Sequence, residues 1–156
     1  MSAIKAVLTA FIVWLFAATP AAAEAPTVEH ITSPEFAALD LPFSQAVRVG
    51  HLLFLSGELG IDHATGKLAP GGIGPETDRI LRNIQATLER AGSSMAEVVK
   101  CTVFLADIDE WAAMNKVYVT YFPGPKPARS ALGTANGIAL GARVELECIA
   151  TVGLGR

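Results

Sequence analysis

The chain has 156 residues, of which 51% are hydrophobic and 17% charged, and its formal net charge is -3. This length suits one domain with a real core and is too short for two domains. The acidic balance argues against binding nucleic acid through general charge attraction, and two cysteines are too few for a disulfide scaffold or a four-cysteine zinc site.

The apolar residues are concentrated at the N-terminus. Residues 1–23 hold 18 hydrophobic residues and one charged residue, Lys5, and they end in the small residues Ala21, Ala22 and Ala23. This is the layout of a secretory signal peptide that is cleaved after Ala23. A retained membrane anchor is the alternative, but the apolar run is short for crossing about 30 Å of hydrocarbon. We expect a periplasmic or secreted protein with no membrane contact after cleavage.

The rest of the chain divides into an arm and a domain. Residues 24–41 show no sustained hydrophobic period and predict an extended arm, while residues 42–156 form the domain. Residues 47–56 predict a β-hairpin that turns at Gly50 and His51, and the glycines and prolines of residues 62–74 predict a loop.

Two helices and three strands follow. Apolar residues spaced by three, four and seven predict a helix that starts with Pro75 in its first position and stops at Gly92. Residues 98–105 predict a strand, and a second helix runs from residues 107–110 to about Phe122, before a Pro-Gly-Pro break. Residues 128–132 and 143–152 predict the last two strands.

These elements predict an α+β domain in which two helices pack on one face of a sheet. Cys101 and Val99 are expected on the helix-covered face, together with Cys148. The other face is too apolar for open solvent, and we expect it to be buried in a homo-oligomer. The residues expected on that second face are Leu53, Leu55, Thr102, Phe104 and Ile149.

Four polar residues are candidates for chemistry. Glu145 and Glu147 share one face of the last strand, about 7 Å apart, as a general base or as two solvated carboxylates. Arg129 can grip a substrate carboxylate, or form a salt bridge to either glutamate. Asn115 falls on the apolar stripe of the second helix, where its amide needs a backbone or a ligand as partner.

The remaining candidates give weaker signals. Ser56 and Gly57 end a hydrophobic strand and could present a hydroxyl and an N–H group to an anion. The three histidines have no ligand spacing, so no metal site is predicted. For Cys101 and Cys148 we favour two buried free thiols over a disulfide between adjacent strands, although export would permit the disulfide.

Several motifs together resemble a known family. Residues 42–47, 55–57, 91–94, 98–105, 115–118, 127–130 and 144–147 stand in the order and spacing of the RidA (YjgF) family, and the match covers residues 41–152. The resemblance implies a chorismate-mutase-like fold with a mixed, mostly antiparallel sheet, assembled as a homotrimer with ligand clefts between subunits.

The resemblance also implies an activity and a site. The activity is the hydrolysis of reactive enamines and imines, such as 2-aminoacrylate and 2-iminopropanoate, to 2-oxoacids and ammonia, without metal or organic cofactor. Arg129 would bind the substrate carboxylate and Glu145 would activate the water, with Glu147 as a possible contributor. The residues expected to line the cleft are Phe43, Ser56, Gly57, Asn115 and Ala131.

Two departures from the family leave alternatives open. Phe43 replaces a tyrosine found in many members, and Ala131 replaces a cysteine found in some. A non-catalytic protein that binds small carboxylates or client proteins is therefore the second hypothesis. Ribonuclease activity, attached by name to some relatives, is the third, and it conflicts with the acidic balance of the chain.

Overall fold

The computed structural model describes residues 25–153, and the predicted signal peptide lies outside them. The described chain folds into one sheet of seven strands, a small two-stranded sheet and three helices. The strands are β1 (Val28–Ile31), β2 (Ala46–Val49), β3 (Leu52–Leu55), β4 (Glu58–Leu59), β5 (Ile61–Asp62), β6 (Lys67–Leu68), β7 (Val98–Leu105), β8 (Ala128–Gly133) and β9 (Val144–Thr151).

The helices are α1 (Pro34–Ala37), α2 (Ile73–Arg90) and α3 (Trp111–Tyr118). The α2 helix starts two residues before the predicted position, so Pro75 is its third residue. The N–H groups of the first turn have no partner within a helix, and proline therefore fits at this position too. The predicted end is confirmed, because the helix stops at Arg90 and Gly92 follows with φ +74°.

The main sheet is mixed but mostly antiparallel. Its strand order is β1-β2-β3-β9-β7-β8, with β4 also paired to β9, and only the β7–β8 pair is parallel. Both long helices pack on one face of this sheet, which confirms the predicted α+β architecture. The core they form with the sheet includes Ile80, Leu81, Ile84, Leu88, Met114, Val144, Leu146 and Ala150, all almost fully buried.

The two faces of β3 are the reverse of the expectation. Leu53 and Leu55 were placed on the open face, but both are buried in the core, while Leu52 and Phe54 are exposed on the other side. Four consecutive apolar residues carry no alternation, so the sequence of this strand cannot tell one face from the other. Thr102, Phe104 and Ile149 do lie half-buried on the open face, as predicted.

Val99 also differs from the prediction. A β-bulge between Val98 and Lys100 shifts the register of β7 against β9. Because the extra residue of a bulge reverses the alternation, Val98 enters the core and Val99 is 38% exposed. Beyond the bulge, Cys101, Val103 and Leu105 face the core as expected.

The two cysteines form a disulfide, so the prediction of two free thiols is wrong. The register places Cys101 directly opposite Cys148, with their Cα atoms 4.1 Å apart and both side chains in the core. Spacing along the chain does not determine which residues of two strands stand opposite one another. This register is what brings the two sulphur atoms together.

Two segments expected to be irregular contain regular structure. Residues 24–41, expected as an extended arm, include β1 at the edge of the main sheet and the short helix α1, which Ser33 caps through its hydroxyl. The predicted loop 62–74 includes part of the β5–β6 hairpin and the first two residues of α2. The hairpin turn at Gly50 and His51 is confirmed, with Gly50 at φ +58°. Within residues 25–153, no helix combines the length and apolar character needed to cross a bilayer.

Candidate functional site

Arg129 lies on the edge strand β8 and turns toward α3. Its partner in the register is Cys101, which points to the core, so Arg129 is on the helix-covered face. Its Nη1 donates a hydrogen bond of 2.5 Å to Oδ1 of Asn115. The guanidinium carbon lies 4.7 Å from the ring centre of Tyr118 and 5.6 Å from that of Trp111. Cation–π contacts of this kind hold a guanidinium in place without neutralising its charge.

The salt bridge of Arg129 to Glu145 or Glu147, which was the alternative to substrate binding, is not formed within the described chain. In residues 25–153 no carboxylate lies within ion-pair distance of Arg129. The amide oxygen of Asn115 accepts a hydrogen bond from Arg129 and so orients the arginine. The other N–H groups of the guanidinium are therefore available to bind an anion through two parallel hydrogen bonds, a geometry that arginine favours.

A cleft of about 550 Å³ opens beside Arg129. Its other cationic residues are Lys116 and Lys126, and Lys126 donates a hydrogen bond to the carbonyl of Phe122. No acidic side chain lines it. This composition favours a negatively charged ligand. The complete lining is Ala112, Asn115, Lys116, Tyr118, Val119, Lys126, Pro127 and Arg129.

Tyr118 forms part of the wall behind Arg129. Its hydroxyl is buried and has no hydrogen-bond partner among the described residues. Burial raises the pKa of Tyr118 to about 12, although the nearby Arg129 charge opposes the change. The residue therefore stays neutral and offers an aromatic face to the guanidinium. The regular spacing of residues 111, 115 and 118 was the signal in the sequence that could identify Trp111 and Tyr118 as its companions.

Glu145 lies on the opposite, open face of the sheet, against Gly57. A Cβ atom on Gly57 would stand 1.9 Å from Oε1 of Glu145, so only glycine leaves room for the carboxylate in this position. Burial raises the pKa of Glu145, and the negative charges of Glu147 and Glu58 raise it further. A carboxylate with a raised pKa is a better proton acceptor near neutral pH than an ordinary glutamate.

Ser56 precedes Gly57 in the chain and is hydrogen-bonded to the segment that follows Phe43. The Ser56 hydroxyl donates to the carbonyl of Ser44 at 2.7 Å, and its N–H group donates to the carbonyl of Gln45. Both bonds tie the end of β3 to the segment that carries Phe43. The Phe43 ring is 49% exposed and packs edge-on against Phe36, with ring centres 5.8 Å apart. Its outer surface is free to contact a ligand or another subunit.

Glu147 and Ala131 complete the set of predicted residues. Glu147 stands opposite Thr102, on the open face with Glu145, beside a shallow groove of about 220 Å³. Ala131 stands opposite Val103 on the same face as Arg129 and packs partly against the core. In the described chain, no group of three or more His, Cys, Asp or Glu side chains has the arrangement of a metal site.

The structure thus separates the predicted residues into two groups within one chain. Arg129, Asn115 and Ala131 lie on the helix-covered face at the edge strand β8. Ser56, Gly57, Glu145 and Glu147 lie toward the open face, around β4 and β9. Because β7 stands between β9 and β8, and the two groups occupy opposite faces, Arg129 and Glu145 of the same chain do not face one another.

Comparison with known proteins gives consistent matches. The family model described as Endoribonuclease L-PSP matches residues 34–152. The chain is 46% identical over 112 residues to the 2-iminobutanoate/2-iminopropanoate deaminase of Capra hircus, covering 72% of this chain and 81% of the relative. It is 36% identical over 137 residues to the chloroplastic Reactive Intermediate Deaminase A of Arabidopsis thaliana, covering 88% and 73% of the two chains.

Solved structures agree with these matches. The crystal structure of RidA from an Antarctic Psychrobacter superposes with a TM-score of 0.69 at 34% identity, covering 79% of this chain and 94% of that one. The family model spans well over half of the chain, and the fold, the sequence and the order of motifs agree. The chain therefore belongs to the Endoribonuclease L-PSP family, which is also called the RidA/YjgF family.

Proposed function

We propose that this chain is a hydrolytic deaminase of small 2-imino acids and their enamines, of the 2-iminopropanoate and 2-aminoacrylate type. The observation that carries the proposal is Arg129, which is held by Asn115 and two aromatic rings and has no carboxylate partner among the described residues. Such a guanidinium is arranged to bind the carboxylate of a small substrate. The names of similar relatives, 2-iminobutanoate/2-iminopropanoate deaminases, support the same reaction class.

The chemistry requires a carboxylate clamp and a base. With the substrate carboxylate on Arg129, a water molecule adds to the carbon of the C=N bond while Glu145 accepts a proton from it. Glu145 passes the proton that it took from the water to the nitrogen, which gives a tetrahedral intermediate with a hydroxyl and an amino group. As the C–N bond breaks, the hydroxyl proton is transferred to the nitrogen through Glu145, so that ammonia leaves and a 2-oxoacid remains. The raised pKa of Glu145, caused first by burial, suits this general-base role. No metal or organic cofactor is needed for these steps.

We further propose that the site forms between subunits of a homotrimer. Arg129 and Glu145 lie on opposite faces of their own chain, so a neighbouring copy has to supply one of them if both are to reach the same substrate. The open face also carries Phe54, which is 41% exposed, beside the half-buried Phe104 and Ile149. Burial of this apolar face between copies would remove it from water.

The first experiment tests the carboxylate clamp. Imines generated by an amino-acid oxidase are supplied to the purified mature protein, and imine loss and ammonia release are followed. We expect R129A to lower kcat/KM by at least about 100-fold, because a desolvated charged hydrogen bond is lost. The matched control is R82A, which removes an exposed arginine paired with Asp78 on α2. Equal rates for R129A and the unaltered protein would contradict the proposal.

The second experiment tests whether the site is shared. R129A and E145Q subunits are inactive alone if both residues are required. When the two variants are unfolded together and refolded as mixed trimers, about one quarter of the sites receive an intact Arg129 from one subunit and an intact Glu145 from the next. Recovery of up to about one quarter of the activity of the unaltered protein supports the shared site. A mixture that stays inactive, although mass analysis shows mixed trimers, would exclude it.

A non-catalytic binding role is the competing function. Phe43 lacks a hydroxyl and Ala131 lacks a thiol, so the set of candidate site residues has fewer reactive groups than the family pattern. Calorimetric binding of a small carboxylate that depends on Arg129, with no acceleration of ammonia release, would favour this role. Cleavage of RNA by the purified protein, lost in R129A, would instead favour the ribonuclease reading, which the net charge of -3 opposes.

We also propose that the protein is exported to the periplasm or the outside of the cell. Two observations support this: residues 1–23 have the layout of a signal peptide, and Cys101 and Cys148 form a disulfide. Disulfides persist mainly in oxidising compartments. Mass spectrometry of the protein recovered from its native host should show an N-terminus at Glu24. A mature chain that begins at Met1 or Ser2 would contradict export by this route.

A further inference from the structure

A hydrogen-bonded Glu58–His63 pair lies at β4, the strand that pairs with the segment of β9 carrying the proposed base, and neither the sequence motifs nor the proposed chemistry uses it. The Glu58 carboxylate accepts a hydrogen bond from Nδ2 of Asn83 at 2.8 Å, and its Oε1 lies 2.9 Å from Nε2 of His63. Asn83 also donates to the carbonyl of Ile61 at 2.9 Å. Glu58 is 9% exposed, and a buried carboxylate is retained only where such partners stabilise it.

The backbone connects this ion pair to Glu145. Glu58 belongs to β4, where Glu58 pairs with Leu146 and Leu59 pairs with Glu145. The side chain of Glu58 points to the core and to α2, while the preceding residue, Gly57, touches the carboxylate of Glu145. The hydrogen bonds of Glu58 to Asn83 and His63 therefore hold β4 in the position that sets Gly57 against the base.

The same ion pair supports the wall that carries Phe43. The imidazole of His63 packs edge-on against Phe36 of α1, with ring centres 5.6 Å apart. Phe36 in turn packs against Phe43 at 5.8 Å. A displacement of His63 would therefore shift Phe36, which in turn contacts Phe43.

The charges around the pair determine its protonation. His63 interacts electrostatically with Glu58 on β4, Asp62 at the end of β5 and Arg79 on α2. It also interacts with Glu35 on α1. The hydrogen bond to Glu58 is the largest cause that raises the pKa of His63. The imidazole is therefore protonated in acidic solution, and the pair is then neutral as a whole.

The net charge of the Glu58–His63 pair affects the ionisation of Glu145. Its own neighbours are Glu147 on β9 and Glu58 on β4, and both negative charges raise the pKa of its carboxyl group. Protonated His63 compensates the charge of Glu58, whereas neutral His63 leaves that charge uncompensated. Loss of the imidazolium charge therefore makes ionisation of Glu145 less favourable.

We propose that the Glu58–His63 pair is a positioning element of the candidate site: it anchors β4 so that Gly57 stays against Glu145, and it couples the ionisation of Glu145 to the charge of His63. The proposal rests on the function proposed above, in which Glu145 is the general base. Glu58 and His63 are positioning residues, since neither is placed in contact with the substrate.

The test uses two isosteric changes with opposite expected effects. E58Q removes a negative charge and keeps an oxygen that can accept from Asn83, so the acid limb of the kcat/KM profile should move to lower pH. H63Q removes a positive charge and keeps a donor for Glu58, so the acid limb should move to higher pH. At a fixed pH on this limb, activity relative to each plateau should rise or fall roughly two- to threefold. The control is H51Q, in the β2–β3 turn.

A structural role alone would lower the plateau in both variants without moving the limb in opposite directions, and that result would overturn the proposal. A second measurement does not depend on turnover or on the stability of these variants. Carbon-detected NMR titration should show that E145Q lowers the pKa of the His63 imidazole, because coupling between two sites is reciprocal. An unchanged His63 titration would also overturn the proposal.

Loss of the general-base role and loss of the coupling give different experimental results. If Glu145 is not the base, E145Q retains turnover, whatever Glu58 and His63 do. If only the coupling is absent, E145Q is inactive, and the acid limb of the kcat/KM profile lies at the same pH in E58Q, in H63Q and in the unaltered protein.

Discussion

Gly57 and Glu145 make the most sensitive contact of the candidate site. We predict that G57A lowers kcat by roughly 10- to 100-fold, because the new methyl group would displace the Glu145 carboxylate from its position. Steady-state deaminase assays measure the effect, and circular dichroism checks that the fold is retained. G124A is the matched control, since no atom lies within 4 Å of a Cβ at Gly124. A fully active G57A would show that the observed position of the carboxylate does not matter.

Glu145 also has a consequence for stability. Its pKa is raised by burial, then by Glu147 and Glu58, so the folded protein binds this proton more tightly than the unfolded chain. Stability must then fall as the pH rises from the usual glutamate range, about 4, through the raised pKa of the folded state. We predict that E145Q is more stable than the unaltered protein at pH 8 and equally stable at pH 3.

Urea unfolding at the two pH values measures this difference. E29Q, on the exposed strand β1, is the control and should change stability equally little at both. An E145Q variant that is less stable at pH 8 would show that the ionised carboxylate is stabilised in the fold, opposite to the direction inferred here.

At the scale of elements, the disulfide joins the two longest strands of the sheet. Cys101 of β7 and Cys148 of β9 are 47 residues apart in the sequence, and closing a loop of this length stabilises a protein by about 4 kcal/mol in the chain-entropy description. We predict that the double variant C101A/C148A loses about 2–4 kcal/mol of unfolding free energy. Urea unfolding of both proteins measures the loss.

Thiol titration of the unfolded protein, without reductant, is the accompanying check. It should find no free thiol in protein recovered from an oxidising compartment. Two titratable thiols there, with equal stability of both proteins, would contradict the bond. This element links stability to location, because a reducing compartment would leave β7 and β9 without their cross-link.

The elements themselves were largely predictable, and their exceptions have specific causes. Residues 98–105 and the face of β9 that carries Leu146 follow a period of two, so their strand character and orientation could be predicted. β3 has no alternation in its four residues, and the bulge at Val99 reverses the alternation of β7 locally. Both exceptions depend on pairing with distant strands, which local periodicity does not record.

At the scale of the whole molecule, the open sheet face is the surface that the proposed homotrimer would bury. We predict that the mature protein has three times the mass of one chain in light scattering, and that F54E disrupts this assembly and lowers activity at least about tenfold. The reason is that a carboxylate buried without a partner in an apolar interface is costly. V28E places the same charge on the edge strand β1, where Val28 is 61% exposed, and serves as control. A trimeric, active F54E would show that this face is not the interface.

The sequence by itself determined the order of β2, β3, α2, β7, α3, β8 and β9, the apolar face of β9, the family motifs and the identity of Arg129, Glu145 and Asn115 as candidates. These depend on residue types at short spacings, where the helical or strand period relates neighbours directly. Tertiary structure decided which residues from separate elements contact one another: Cys101 with Cys148, Arg129 with Asn115, Glu58 with His63 and Gly57 with Glu145. It also placed Arg129 and Glu145 on opposite faces, because register and strand order arise from packing between segments far apart in the chain.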